Sequence, residues 1–415
     1  MFTLMNHPSR LVVVAALVFT SLVGEIAAGE SSASPLSGKE RDPHVLFGET
    51  RWILDGRLRY EHAEQSGRGA SDALTWRHRA GIQTGELAGL SALVELEHTL
   101  DLLGEDQGNP FPRPGRTVIA DPENFELNRL QFDYRPDIWG STLTVGRQRI
   151  TLDDQRFIGN VGWRQNEQTY DAVRLQAKPS ELFTLNYAYL ARVNRIFGEQ
   201  APSPRLNHLD SDSHLVNLKA GPLSVFAYLL DFEDAAALSS QTYGARLNGS
   251  FPSAGSTSLV FDLQWAIQQD YAGNPNDYRA QFYRIEGGVD LDNSVQVGLG
   301  YERLGEDAGA AFQAPLGTNH KFNGFADGFL STPTSGLQDL YAYVGAKLPA
   351  GFSSRLGYHH FLTDTDSDSL GDELDFTIGH KLGENASALL KAAHLEGDGG
   401  QADIQRLSLQ IDYKF

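Results

Sequence analysis

The sequence predicts an all-β protein, a transmembrane antiparallel β-barrel of about 18 strands with periplasmic N- and C-termini. Three observations carry that prediction. Apolar residues recur with period two from Trp52 to the end of the chain. The connections between these runs are alternately short and long. The last run closes on an aromatic residue, Phe415.

In the first run Trp52, Leu54, Gly56, Leu58 and Tyr60 share one face, and Ile53, Asp55, Arg57, Arg59 and Glu61 share the other. Leu90, Ala92, Val94 and Leu96 against Glu95 and Glu97 repeat the split, as does Leu259, Phe261, Leu263, Trp265 and Ile267. Successive side chains of a strand point to opposite faces, so this alternation marks strands with one apolar and one polar side. About 18 such runs are centred near Arg57, Arg79, Glu95, Leu130, Val145, Val173, Tyr187, Leu218, Ala227, Ala245, Leu263, Ile285, Leu299, Tyr343, Leu356, Phe376, Leu390 and Leu409. Short turns are expected at 86–89, 135–141, 178–182, 221–222, 252–256, 291–292, 349–351 and 383–385. Longer Gly-, Asp-, Asn- and Pro-rich loops fall at 101–124, 151–168, 194–213 and 305–336. Short periplasmic turns facing long outer loops are the habit of outer-membrane barrels. Closure is forced by the bilayer, which offers no partner to the N–H and C=O groups of an open edge.

Composition narrows the classes. The 415 residues contain no cysteine, which excludes disulfides, thiolate metal sites and a cysteine nucleophile. With 34 basic against 53 acidic residues the net charge is −19, so nucleic acid is not an expected partner. Residues 1–28 read as a secretory signal: Arg10, the apolar run Leu11 to Val23, then Ala27, Ala28 and Gly29. That run is short of the ~20 residues a spanning helix needs. A periplasmic lead-in is expected over 29–50 and the barrel over 51–415.

Around 18 strands enclose an aqueous lumen rather than a packed core. Turning the apolar face to lipid leaves an inward set of Arg57, Arg59, Arg77, Arg79, Arg129, Arg147, Arg149, Arg174, Arg192, Arg246, Arg284 and Lys219, with Lys347, Lys381 and Lys391. Inward acids are Asp55, Glu61, Glu95, Glu97, Asp133, Asp262, Glu286, Glu302, Asp339 and Asp375. A cationic lining concentrates anions and orients carboxylates on the guanidinium fork. The alternative is that these cations pair with the inward acids and brace the wall.

The stretch GRQRITLDDQRFIGNVGWRQNEQTYDAVRL (146–175), with HKFNGFADGF (320–329) and PTSGLQDLYAYVG (333–345), resembles the alginate export family of outer-membrane barrels. The resemblance covers essentially all of 52–415. It implies an 18-stranded barrel in the Gram-negative outer membrane. It also implies passage of a polyanion through a basic lumen lined by Arg147, Arg149 and Arg174, with Arg129 beside them. The short turns leave no room for a periplasmic plug.

Other constellations point nowhere further. DTDSDSLGDELD (364–375) has acids at alternate positions, yet Ser369 stands where a calcium loop needs glycine, and a solvated loop is expected. His359 and His360 are adjacent and should face opposite ways. His320 and Lys321 lie in the longest loop, which could fold inward or simply be capped. No nucleophile elbow, phosphate loop or H-E-x-x-H is present, and no enzyme activity, metal or cofactor is expected. The expected function is a passive channel for an anionic, alginate-like polysaccharide or for small organic anions. The alternative is a loop-plugged structural or binding barrel. Expected partners are outer-membrane lipid, lipopolysaccharide and the barrel-assembly machinery.

Overall fold

The computed structural model describes residues 49–104, 108–109, 111, 113–199, 201–253 and 255–415. The expected signal segment and all but the end of the lead-in lie outside these residues. The strands are β1 (Arg51–Gln65), β2 (Ser71–Gln83), β3 (Leu90–Asp101), β4 (Asn124–Tyr134), β5 (Thr142–Gln148), β6 (Thr169–Ala177), β7 (Phe183–Asn194), β8 (His208–Ala220), β9 (Leu223–Leu230) and β10 (Ser240–Pro252). They continue with β11 (Ser258–Asp270), β12 (Arg279–Leu291), β13 (Val295–Leu304), β14 (Glu306–Asp307), β15 (Ala310–Ala311), β16 (Leu337–Lys347), β17 (Phe352–Leu362), β18 (Ser369–Lys381), β19 (Ala386–Gly397) and β20 (Ile404–Lys414).

All but the small hairpin of β14 and β15 form one 18-stranded sheet. Each strand pairs antiparallel with its chain neighbours, and β13 pairs with β16 across the hairpin. β1 then pairs with β20, from Asp55 opposite Lys414 to Gln65 opposite Ile404, and the barrel is closed. The N–H of Phe415 donates to the carbonyl of Leu54 at 2.8 Å, so the terminal aromatic is sewn into the seam. Each of the 18 expected run centres falls in a barrel strand.

Apolar side chains at alternate positions form the outer band. On β1 and β20 these are Trp52, Leu54 and Leu58 with Leu407, Leu409, Ile411 and Tyr413, all exposed on the chain alone. They meet lipid, which is why exposure here costs nothing. No helix among the described residues is long and apolar enough to cross a membrane.

Two loop expectations are corrected. The loop expected over 194–213 is shorter, because β8 already starts at His208 and the polar run HLDSDSH alternates as a strand. The acidic run 364–375 is a loop only to 368. From Ser369 it is β18, and Asp375 is buried facing the lumen.

A third correction concerns the interior. The lumen is not simply aqueous. Inward Leu190, Leu215, Phe226, Tyr228, Phe282, Phe361 and Leu395 are buried against Ile150, Ile158, Phe312, Leu316 and Phe329 of two long loops. Those loops, 149–168 between β5 and β6 and 305–336 between β13 and β16, turn into the barrel. Phe157 is the hinge of the packing, with ring centroids 5.2 Å from Phe226 and 5.1 Å from Phe282. Burying these rings supplies a hydrophobic reason for the loops to fold inward rather than extend into water.

Candidate functional site

The two inward loops are joined to each other before they are joined to the wall. The N–H of Gly159 donates to Leu316 at 2.8 Å, and that of Thr318 to Gln155 at 3.0 Å. Arg156 donates to Asn319 and Asn323, each at 3.1 Å, and to Glu302 on β13 at 2.8 Å. Arg164 bonds Asp327 at 2.6 Å and reaches Glu61 on β1 at 3.3 Å, and Arg406 on β20 bonds the same Glu61 at 2.9 Å. Loop 102–123 adds Asp121, which pairs with Arg59 at 3.2 Å and accepts from the N–H of Gln165 at 2.7 Å. All these charges are buried, and each has a partner, as a buried charge must.

At the centre the ring of Trp163 stacks on His320, centroids 4.6 Å apart and planes 8° from parallel. Arg59 lies 4.0 Å from the Trp163 centroid and Lys391 lies 4.1 Å from it. His320 Nδ1 is 2.5 Å from Asp327, and Lys391 Nζ is 3.0 Å from Nε2. A neutral imidazole fits both contacts, donating from Nδ1 and accepting at Nε2. Burial above all, with Lys391 and Arg164 nearby, pushes the His320 pKa down to about 3 against the pull of Asp327. Burial opposes ionisation of Asp327, but His320, Arg406 and Arg164 outweigh it and hold the carboxyl well below the usual range.

Among the described residues, two cavities with no lining residue in common border the plug. The larger, about 550 Å³, lies against β10–β13 and β16–β19. Its carboxylates are all engaged. Asp154 and Asp262 face Arg246 and Arg284, and Asp339 meets His359 at 3.0 Å. Asp375 accepts from the N–H of Phe325, and Glu286 accepts from Tyr341 at 2.6 Å and Tyr343 at 2.9 Å. Those tyrosines lie along the wall because β13 puts glycines opposite them. A Cβ on Gly300 would stand 2.3 Å from the Tyr341 ring. Three cations of this chamber have no ion pair among the described residues and rest on rings instead. Lys391 is 3.6 Å from the Phe325 centroid, Arg355 is 3.6 Å from Tyr343, and Lys321 is 5.6 Å from Phe322.

The smaller cavity, about 300 Å³, lies against β2–β6 at the short-turn end. Its cations include Arg129, Arg149 and Arg174. The carboxylates behind the first two, Glu95 and Glu167, are almost wholly buried, so the accessible wall is guanidinium.

Ten of the twelve predicted path residues stand on the inner side of the barrel, and most are paired. Arg147 and Arg192 are corrected, because Arg147 stands opposite outward Leu130, and Arg192 stands opposite Asp210 out of phase with the inward pair Val193 and Leu209. Arg57 bonds Asp412 at 2.8 Å and the carbonyl of Trp163 at 3.0 Å. Arg77 pairs with Asp55, and Arg79 with Glu97 and Glu167. Arg129 holds Glu95 with two bonds, at 2.9 and 2.6 Å, and Arg149 holds Glu167. Arg147 pairs with Asp171 at 2.8 Å and Arg192 with Asp210 at 2.9 Å. Arg246 and Arg284 share Asp262. Arg174 bonds only the amide oxygen of Asn186, at 2.9 Å, and Lys219 is exposed at the turn end of β8 without an ion pair among the described residues. Only Arg246 and Arg284 reach the larger chamber, and only Arg129, Arg149 and Arg174 the smaller. The bracing alternative therefore describes most of the set.

Sequence reasoning missed Trp163, Arg164, Asp327, Arg355 and the loop role of Asp121. It named His320, Lys321 and Lys391 without assigning them to a cavity. The signal was present, since aromatic and charged residues crowd into otherwise Gly- and Asn-rich loops at 156–168 and 320–329. His359 and His360 do diverge: the first meets Asp339 inside, and the second meets Asp372 at 2.8 Å outside. No group of residues suited to hold a metal occurs among the described residues.

Known structures share this architecture. Acinetobacter baumannii OccAB4 superposes with a TM-score of 0.71 at 13% identity, covering 90% of this chain and 100% of its own. Pseudomonas aeruginosa OpdK, solved with vanillate, gives 0.66 at 12% identity over 88% and 98%. Acinetobacter baumannii OccAB1 gives 0.67 at 12% identity over 92% and 100%. Comparison with curated proteins finds no match. The alginate export family model matches residues 94–402, a span running from β3 to the eve of β20 and containing both inward loops, and the chain belongs to that family of Gram-negative outer-membrane barrels.

Proposed function

We propose that this barrel is a passive channel for single small organic anions, with no chemical step. The observation that carries the reading is the larger chamber. It has the volume of a small molecule, and three of its cations lie on aromatic rings and make no ion pair among the described residues. A cation next to a ring suits a ligand that brings both a carboxylate and an apolar or aromatic body. The vanillate in OpdK is a ligand of that kind, which supports the reading. Passage of an alginate-like polysaccharide is the second reading, and the family match favours it. It requires both inward loops to leave the lumen, against the bonds that tie them to each other and to Glu61 and Glu302. The proposal carries with it a signal segment over 1–28 and a barrel domain over 51–415. It also puts both termini and the short turns in the periplasm, lipopolysaccharide at the outer rim, and the barrel-assembly machinery as the partner for insertion.

In planar lipid bilayers the mature protein should conduct with anion preference, and vanillate should reduce the current saturably. Combining Lys321→Gln with Arg355→Gln should bring selectivity toward unity and weaken vanillate block about tenfold, the scale of one lost charge-assisted bond. A cation-preferring pore, or a double variant that behaves like the parent, would refute the proposal.

A further inference from the structure

The smaller cavity differs from the larger in chemistry as well as in place. It contains no aromatic ring, and Leu93 is its one aliphatic lining residue. Its surface is guanidinium, amide and hydroxyl, with one carboxylate, Asp133. On β5 and β6 the inward residues stand in register, Thr142 opposite Gln176 and Thr144 opposite Arg174. Thr144 donates to Asp133 at 2.6 Å and Gln131 donates to the same carboxylate at 3.2 Å, so those two are occupied. Gln148 is occupied by backbone carbonyls. Gln83, Thr142 and Gln176 have no side-chain bond among the described residues. Arg174 keeps its Nε buried and unpartnered, and among the described residues it alone of the eleven predicted lumen arginines makes no ion pair with a carboxylate. Around it Arg129 and Arg149 present guanidinium faces whose own acids are buried behind them.

A ligand for such a wall must be anionic, to meet Arg174. It must also carry several hydroxyls, because free amides and a free hydroxyl satisfy hydroxyls and offer nothing to a ring. We infer that this turn-end cavity is a second binding station, separate from the aromatic-lined chamber, and that it takes small polyhydroxylated carboxylates with Arg174 as their anchor. The inference rests on the channel reading above. It adds that the pore holds two stations of opposite preference, so one barrel admits both hydroxylated and aromatic acids.

The test uses the full mature protein in planar bilayers with chloride as the carrier ion, and gluconate and vanillate as competing blockers. Gluconate should reduce the chloride current saturably. Arg174→Gln should raise the half-blocking gluconate concentration at least about tenfold, as expected for one lost charged bond, and leave vanillate block where it was. Lys321→Gln should do the reverse. Gln176→Leu, which leaves every charge in place, should also weaken gluconate block. If the pore conducts anions but gluconate does not block, or if Arg174→Gln shifts both blockers alike, the second station is wrong and the channel reading stands. A protein that folds as a barrel and passes no ions overturns both.

Discussion

Inside this barrel His320 is held in one protonation state. It is stacked on Trp163, bonded to Asp327, and approached by the Lys391 ammonium at 3.0 Å, with Arg164 and Arg406 on the far side of Asp327. A proton added there would place a fourth cation among these three. Its pKa is accordingly pushed from the ordinary 6.5 to about 3, chiefly by burial. An undocked loop would bind that proton near pH 6.5, whereas the docked loop refuses it until about pH 3. Docking is therefore fully favoured above 6.5 and loses free energy as the pH falls across that window. The depressed carboxyl of Asp327 acts in the same direction at the acid end. Hydrogen exchange in 318–327, corrected for its intrinsic pH dependence, should be faster at pH 4.5 than at pH 7, while the strands stay protected. His320→Gln should abolish the difference. Equal protection at both pH values would show that the histidine does not report on docking.

At the scale of elements the strands and the loops obey different rules, and this decides what was legible. A strand declares itself through alternation, because lipid tests one face of each strand independently of the rest. Trp52, Leu54 and Leu58 could thus be assigned outward from their own run. Loop destinations have no such local signal. Phe157 and Phe312 turn inward because Phe226 and Phe282 are apolar on the inner face, and those rings come from strands far away in sequence. Pairing is equally nonlocal. Arg57 meets Asp412 across 355 residues, and only closure of the barrel brings them together. Hence most inward arginines could be listed, Arg147 and Arg192 excepted, but which of them keep an unneutralised charge could not be read. The alternation of connection length yields its own test. An epitope inserted at 363–368 should be labelled by antibody on intact cells, and one inserted at 382–385 only after the outer membrane is opened. The converse pattern would invert the barrel relative to the expected periplasmic termini.

For the molecule as a whole, closure and plugging are separable. The barrel is held by an unbroken ring of antiparallel pairings from β1 through β20, and none of them uses the inward loops. The plug is held by side chains: Arg156 to Glu302, Arg164 to Glu61, and buried Phe312, Leu316 and Phe329. Replacing residues 312–330 with a short Gly/Ser link should therefore leave a closed barrel that is heat-modifiable on gels. It removes three large buried apolar side chains at about 1.5–3 kcal/mol each, besides two buried alanines, so the melting temperature should fall clearly. It also takes Asp327 from Arg164 and Asn323 from Glu302, which keep Glu61 and Arg156 as partners, and water entering the widened lumen softens that cost. Single-channel conductance should rise several-fold, aromatic-acid block should disappear with Lys321 and Phe322, and short alginate oligomers should begin to pass. A shortened barrel that stays closed yet conducts no better than the parent would mean that the barrier lies elsewhere, and the division of the lumen into two stations would have to be abandoned.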